Sequence, residues 1–303
     1  MNDSVLVTGA TGFIGSRLVE KLVEKNYKVT SLIRKGKRSH PKSEKIIVDL
    51  TDSNLDLPIE KMDCVVHLAS HTPLEKNKKI LEKVNLGGTK NLFDQIKNKT
   101  KSLVYISGLG VYGDPGDKIV DEGFPYNPTT NFVKIRLDAQ KFLEKNCNEI
   151  GINFSVIHFG DVYGPGGWFY KFLIKRLLKN TFRLPKNGEY YKNYVHIDDA
   201  VGSMVAILEK NSKKDIFIVS DPTPAPFREF VDFTADQIGV KHPGGVPVFL
   251  AKAILGGDLI KLLTTSMRVS NKKISQIYDF QFSSFKEGIP NVIAELKSKQ
   301  LLK

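Results

Sequence analysis

Along the first half of the chain, short runs of β-branched and apolar residues alternate with longer stretches whose apolar positions recur every three to four residues. The short runs suit strands buried on both faces, and the longer period suits helices with one apolar stripe. SVLVT (4–8) is predicted as a strand, followed by a helix over about 13–25 that aligns Phe13, Ile14, Leu18, Leu22 and Val23 on one face. KVTSLI, KIIV, DCVVHL and SLVYIS read as further strands, the segments near 76–97 and 129–146 as helices, and NFSVIHF (153–159) as another buried strand. Such alternation is the signature of parallel βαβ units. It predicts an α/β, doubly wound parallel sheet of at least six strands, with ligands at the strand C-termini.

After DVYGPGG (161–167) the rhythm changes. A helical stretch, WFYKFLIKRLLKN, leads into the turn-rich FRLPKNGEYYKNYVHIDD, and one more αβ pair follows, DDAVGSMVAILEK and DIFIVS. Beyond the proline-rich DPTPAPF (221–227) the tail reads as mainly helical. Residues 1–165 with 198–222 are therefore expected to form the sheet domain, and 166–197 with 223–303 a smaller, mainly helical C-terminal lobe. VPVFLAKAILGGDLIKLL has the look of an amphipathic membrane helix. It is short and broken by Gly256 and Gly257, so packing against the main domain is the expectation.

Composition narrows the class. With 303 residues, 41% hydrophobic and 26% charged, the chain is an ordinary globular protein able to bury a core. The formal charge of +12 is compatible with nucleic acid, an anionic membrane surface or phosphorylated small molecules. Lysine is spread along the whole chain without an aromatic-interleaved basic stripe, which points to a solvated surface and not to nucleic acid. Cys64 and Cys147 are far apart and form neither a disulfide framework nor a zinc motif. No signal peptide is visible, and no apolar run approaches the roughly 18 residues of a membrane span, so a cytoplasmic protein is expected.

The strongest local signal is VTGATGFIG, with Gly9, Gly12 and Gly15 between a strand and a helix. Glycine lets backbone N–H groups of the turn, from Thr11 to Phe13 and Ile14, approach a pyrophosphate with no Cβ in the way. In this strand–turn–helix context the pattern predicts a Rossmann-type dinucleotide site; the competing reading is a structural turn without ligand. At the end of the second strand, where NAD binding calls for a carboxylate, the chain has SLIRKGKRSH with no acid before Glu44. Arg34 is the candidate for the 2′-phosphate of NADP, with NAD still open and a solvated loop as the alternative.

VTGATGFIG, VDLTD (48–52), DCVVHLAS, VNLGGTKNL, YISGLGVYGD, DVYGPGG and NYVHIDDAV occur in the order seen in the extended short-chain dehydrogenase/reductases, also described as NAD-dependent epimerase/dehydratases. Over nearly its whole length the chain resembles that family. The resemblance implies Asp49 and Leu50 beside the adenine, Leu68 and Ala69 along the cofactor, and Asn85 supporting the neighbouring loop. It implies Ser107 near the nicotinamide ribose, Phe159 and Gly160 flanking the nicotinamide, and a substrate cleft beginning at Tyr163. A small-molecule substrate follows from it, and a homodimer is compatible with it.

The family's catalytic centre is a Ser or Thr followed by Tyr-x-x-x-Lys, the last two on one helix face. Here the likeness fails. Phe132 stands at the Tyr position, Arg136 at the Lys position and Gly108 at the Ser/Thr position. A phenyl ring exchanges no proton, and losing a positioned acid or base commonly costs about 10²–10⁴-fold in rate. Arg136 remains able to bind ribose hydroxyls but not to act as a base.

His71, just beyond the fourth strand, is the replacement acid–base candidate, against the simpler reading of a surface-loop histidine. Ser107 and Arg136 complete the catalytic candidates. His158 reads as a packed strand-end histidine, and a helix cap by Asp198 or Asp199 accounts for VHIDDA as well as a metal cluster does. Lys192 stands near where sugar-nucleotide members carry a phosphate-binding Arg, and Trp168 suits an apolar pocket such as that of ketone-reducing members. Two readings stay open: an NAD(P)-dependent oxidoreductase or epimerase on a hydroxy or keto substrate with a non-standard proton route, and an inactive NADP(H)-binding sensor or assembly protein.

Overall fold

The computed structural model describes residues 3–211 and 213–302. Seven strands form its central sheet: β1 (Ser4–Thr8), β2 (Lys28–Ile33), β3 (Glu44–Ile47), β4 (Met62–His67), β5 (Thr100–Gly108), β6 (Asn153–Phe159) and β7 (Lys214–Val219). Their order is β7-β6-β5-β4-β1-β2-β3, a doubly wound, Rossmann-type parallel sheet. The chain reverses direction across the sheet between β1 and β4, and the carboxyl ends of strands on either side of such a switch leave a crevice for ligands. Val5 of β1 lies opposite both Val29 and Cys64, so β1 is hydrogen-bonded on both edges.

The main helices are α1 (Phe13–Glu24), α2 (Gly88–Ile96), α3 (Asn131–Ile150), α4 (Ile197–Lys210), α5 (Phe227–Gln237), α6 (Val248–Leu255), α7 (Gly257–Thr264) and α8 (Phe285–Ser298). One face of the sheet packs its alternate residues Leu6, Val65, Leu103 and Phe154 against Leu92 and Phe93 of α2 and Leu143 and Cys147 of α3. Because side chains alternate along a strand, Val5, Val7, Cys64, Val66 and Val104 are buried on the opposite face. Ahead of α2 the segment Glu82–Gly87 is wound as a π-helix, a widening frequent at functional sites, and it carries Asn85.

Backbone proximity divides the chain into two compact units: Met1–Val111 with Asn131–His158 and Val201–Phe217, and Tyr112–Thr130 with Phe159–Ala200 and Ile218–Lys303. The second has an aromatic core of Tyr163, Phe169, Tyr194, Phe230 and Phe285. In it, Tyr194 stacks on Phe230 with ring centroids 4.1 Å apart.

Residues 246–263 are interrupted at Gly256, as the sequence suggests: two helices meet there, where a φ of +91° breaks the run. α7 buries Leu259, Ile260 and Thr264, whereas α6 buries only Ala251. Among the described residues, no helix is long and apolar enough to cross a membrane.

Candidate functional site

β1 delivers the chain to Gly9, whose φ of +68° lies in the left-handed region that glycine occupies without penalty. A Cβ on Gly9 would stand 2.9 Å from the Ala69 nitrogen and 3.0 Å from the Leu68 carbonyl carbon. This first turn therefore presses on the loop after β4. Gly12 N–H donates to the Gly9 carbonyl at 2.9 Å, and a Cβ on Gly15 would come within 2.2 Å of the same oxygen. Helix α1 starts with no side-chain cap and no acid in its first turn. Its leading amides at Phe13 and Ile14, beside the half-exposed Thr11, add the positive end of the helix dipole to a turn that could hold an anion.

The loop after β4 is held by a hydrogen-bond chain that sequence reasoning missed. Thr89 Oγ1 donates to the Asn85 carbonyl at 2.7 Å, so it accepts from His67 Nε2 at 2.9 Å. Burial, with a smaller contribution from the Arg136 charge, pushes the His67 pKa down to about 3, and the ring is neutral. Nδ1 is then bare and accepts from Thr8 Oγ1 at 2.7 Å, while that oxygen accepts from Ala69 N–H at 3.1 Å. Asn85 Oδ1 in turn accepts from His71 N–H at 2.7 Å. One imidazole thus ties β1, β4, the π-turn and the 68–71 loop together, and its tautomer follows from the donor count. The His71 ring itself is half-buried.

On the other side of β1, Arg34 is the first residue past β2, and residues 34–38 are all exposed. Asp49 Oδ1 accepts from both the Thr51 amide and the Thr51 hydroxyl at 2.9 Å. Those bonds, and after them the Arg34 charge, hold the Asp49 carboxyl below its ordinary pKa. Leu50 packs on the core and would meet a Cβ on Gly88 at 3.4 Å, and its carbonyl accepts from Asn91 Nδ2 at 2.9 Å. Asn91 is a second residue the motif reading missed.

β5 ends in Ser107 and Gly108. Ser107 is 7% exposed, and its Oγ has no hydrogen-bond partner. Nearby, Arg136 on α3 is anchored twice: Nη1 donates to Ser70 Oγ at 2.7 Å, and Nη2 donates to the Ile106 carbonyl. Its guanidinium lies 5.7 Å from the Tyr105 ring and 5.8 Å from the Phe132 ring one turn earlier on the helix. Tyr105 supplies no ready proton, because its hydroxyl donates to the Arg136 carbonyl at 3.3 Å and burial pushes its pKa up. His158 is fully buried against Gln140 and, mainly through burial, is pushed down to about 3.

The remaining expected positions lie in the second unit. Phe159 is buried, and Gly160 could carry no Cβ, which would stand 2.4 Å from the Asn193 carbonyl oxygen. Tyr163, expected at a substrate cleft, is instead a core residue with 0% exposure, edge-on to Phe169, His196 and Phe230. A Cβ on Gly288 would meet its hydroxyl, and burial raises its pKa. Trp168 is half-buried and donates from Nε1 to the Val162 carbonyl at 2.8 Å. Lys192 Nζ donates to the Leu262 carbonyl at 3.2 Å, and burial lowers its pKa.

In VHIDDA, the expected helix cap is not what Asp199 provides. Asp199 reaches away from its own helix to accept from Tyr278 Oη at 2.8 Å, Gln281 N at 2.7 Å and Phe282 N at 3.1 Å, so it anchors the C-terminal segment. It is His196 Nδ1 that accepts the Asp198 amide at 3.2 Å. Among the described residues no group of His, Cys, Asp and Glu could hold a metal.

The sequence model of the NAD dependent epimerase/dehydratase family matches residues 5–220. A 3-diazoavenalumate denitrifying reductase from Streptomyces sp is 26% identical over 89% of this chain and 92% of its own length. UDP-glucose 4-epimerase from Vibrio cholerae is 27% identical over 73% of this chain and 71% of its own. Among solved structures, the human epimerase family protein SDR39U1 (isoform 2) with NADPH superposes with a TM-score of 0.81 at 22% identity, covering 97% of this chain and all of that one.

Proposed function

The chain belongs to the NAD dependent epimerase/dehydratase family, and from that premise we propose that it is an NADP(H)-dependent reductase acting on a small acceptor without a phenolic proton donor. Its residues fit a dinucleotide: Gly9, Gly12 and Gly15 leave a cradle that Cβ atoms would fill, and the uncapped α1 N-terminus faces it. Leu68, Ala69 and Asn85 would line it, and Asp49 and Leu50 would take the adenine end. Arg34, with no carboxylate at the end of β2, would take a 2′-phosphate. The human neighbour crystallised with NADPH makes the same cofactor a reasonable choice.

The observation that carries a catalytic reading is Ser107. A buried hydroxyl with no partner costs about 1–3 kcal/mol, so the Ser107 hydroxyl is a donor still available to a bound group. When bound, the cofactor supplies a hydride. Ser107 would donate to an oxygen brought against it, and the fixed positive charge of Arg136 would favour negative charge developing there. His71, half-buried in the loop after β4, is the candidate to move a proton there.

Phe132 can neither take a proton from an alcohol nor give one to a developing alkoxide, which disfavours alcohol oxidation, ketone reduction and epimerisation alike. An acceptor that needs no proton on oxygen suits such a site. An aryl diazonium group is one: hydride adds at carbon and N₂ leaves with the bonding pair. The Streptomyces relative's name pairs a diazo compound with a reductase.

A second reading, cofactor binding without turnover, is favoured by Arg136 being tied to Ser70 and Ile106 instead of standing free. The test is a fluorescence titration with NADPH and NADH, followed by absorbance of bound NADPH against apolar ketones, sugar nucleotides and an aryl diazonium salt. Tight NADPH binding with oxidation by one class supports the reductase. Binding with no oxidation across the panel selects the second reading, and no binding removes both.

A further inference from the structure

We propose that α6 and α7 form a peripheral docking element for an anionic lipid surface. In Val248–Leu255, Phe249 is 69% exposed, Leu250 45% and Ile254 73%, and Leu263 on α7 adds 39%. Twelve large hydrophobic residues are exposed in the described chain, and four of them fall in the fifteen positions 249–263. Single exposed hydrophobics are ordinary, but a cluster of this density marks an interaction surface.

The pattern on α6 explains why the face is not spare core. At 3.6 residues per turn, Phe249, Leu250, Ala253 and Ile254 share an arc of roughly 140°. The opposite side carries the buried Ala251 and the half-buried Val248 and Leu255. The helix is thus apolar both inward and outward, with Lys252 on its flank. Its base is firm: α7 is held by buried Leu259 and Ile260, and Lys192 Nζ grips the Leu262 carbonyl at 3.2 Å. The left-handed Gly256 lets α6 turn away from that base.

Charge selects the occupant. Residues 241–273 carry five lysines and one arginine against the single acid Asp258, in a chain of net charge +12. Lys252 and Lys261 are exposed on the two helices themselves. A second copy of this chain would bring like charges together across the patch. An anionic bilayer instead accepts Phe249, Leu250 and Ile254 at its acyl boundary and the lysines at its headgroups, the division of labour of an interfacial helix.

The experiment is co-sedimentation of the full chain with extruded vesicles of phosphatidylcholine alone or mixed with phosphatidylglycerol, at low and high NaCl. Binding should be at least about tenfold stronger to the anionic vesicles and should weaken with salt. A Phe249→Ser/Ile254→Ser variant should lose about tenfold or more, and Lys252→Glu/Lys261→Glu should abolish the preference for phosphatidylglycerol. All four side chains are exposed, so both variants should keep the wild-type circular dichroism melt. No binding to anionic vesicles, or binding unchanged by both variants, overturns the proposal. So does a wild-type dimer in sedimentation velocity that Phe249→Ser/Ile254→Ser converts to monomer, because the second copy is then the occupant.

Discussion

Replacing Gly9 by alanine forces two separate costs into one turn. A φ of +68° is left-handed, which costs an L-residue roughly 1–2 kcal/mol. The added methyl would also stand 2.9 Å from the Ala69 nitrogen. That nitrogen is not free to retreat, because its hydrogen is committed to Thr8 Oγ1 at 3.1 Å and Thr8 is locked by His67. Breaking that bond adds about 1 kcal/mol. The total, about 2–3 kcal/mol, corresponds to a melting point lower by about 3–5 °C for a chain of this size. Gly36 provides the internal control: its φ is +78°, yet a Cβ there meets nothing within 4 Å. Gly36→Ala shares the backbone penalty and the loss of unfolded-state freedom, so the difference between the two variants isolates the collision with the β4 loop. Differential scanning calorimetry should place Gly9→Ala at least about 1 kcal/mol below Gly36→Ala, and NADPH fluorescence should show weakened binding for Gly9→Ala alone. Equal melting points for the two variants would refute the reasoning, since the β4 loop would then have yielded without cost.

Arg34→Ala should weaken NADPH about ten- to hundredfold in the same titration and leave NADH nearly unchanged, because only the 2′-phosphate is lost to it. Ser107→Ala should raise the ligand-free stability by about 1 kcal/mol, having removed an unpaired buried hydroxyl, and should reduce turnover on any accepted substrate; a destabilised variant in urea melts would show that the hydroxyl has a partner. His67 is pushed down to about 3 in the fold from an ordinary 6.5, so between those values the unfolded chain binds a proton that the folded chain refuses. Its contribution to stability therefore falls as pH drops below about 6.5, by about 1.4 kcal/mol per pH unit. Urea melts of His67→Asn between pH 6 and pH 4.5 should show a curve flatter by that slope than the unsubstituted protein, and parallel curves would place the imidazole outside the buried network.

Hydrophobic period and turn chemistry alone determined most of the sheet. SVLVT and NFSVIHF occupy the spans of β1 and β6, and the three glycines fell between β1 and α1, because strand period, helix period and glycine turns are local properties of consecutive residues. The helical reading of 129–146 likewise placed Phe132 and Arg136 one turn apart on α3, which is a matter of helix geometry. What joins distant segments was not legible. Ser70 as an anchor for Arg136, Thr8 and Thr89 on either side of His67, and Asp199 reaching residues 278–282 are contacts across tens of positions, and no periodicity encodes them. Tyr163 shows the same limit, since its residue type suits a cleft and a core equally until Gly288 and Phe230 close over it. The apolar run at 248–255 is the plainest case. Its composition calls for burial, but whether a partner surface exists for each face depends on what the rest of the chain packs there, and in this fold Phe249 and Ile254 were left facing out.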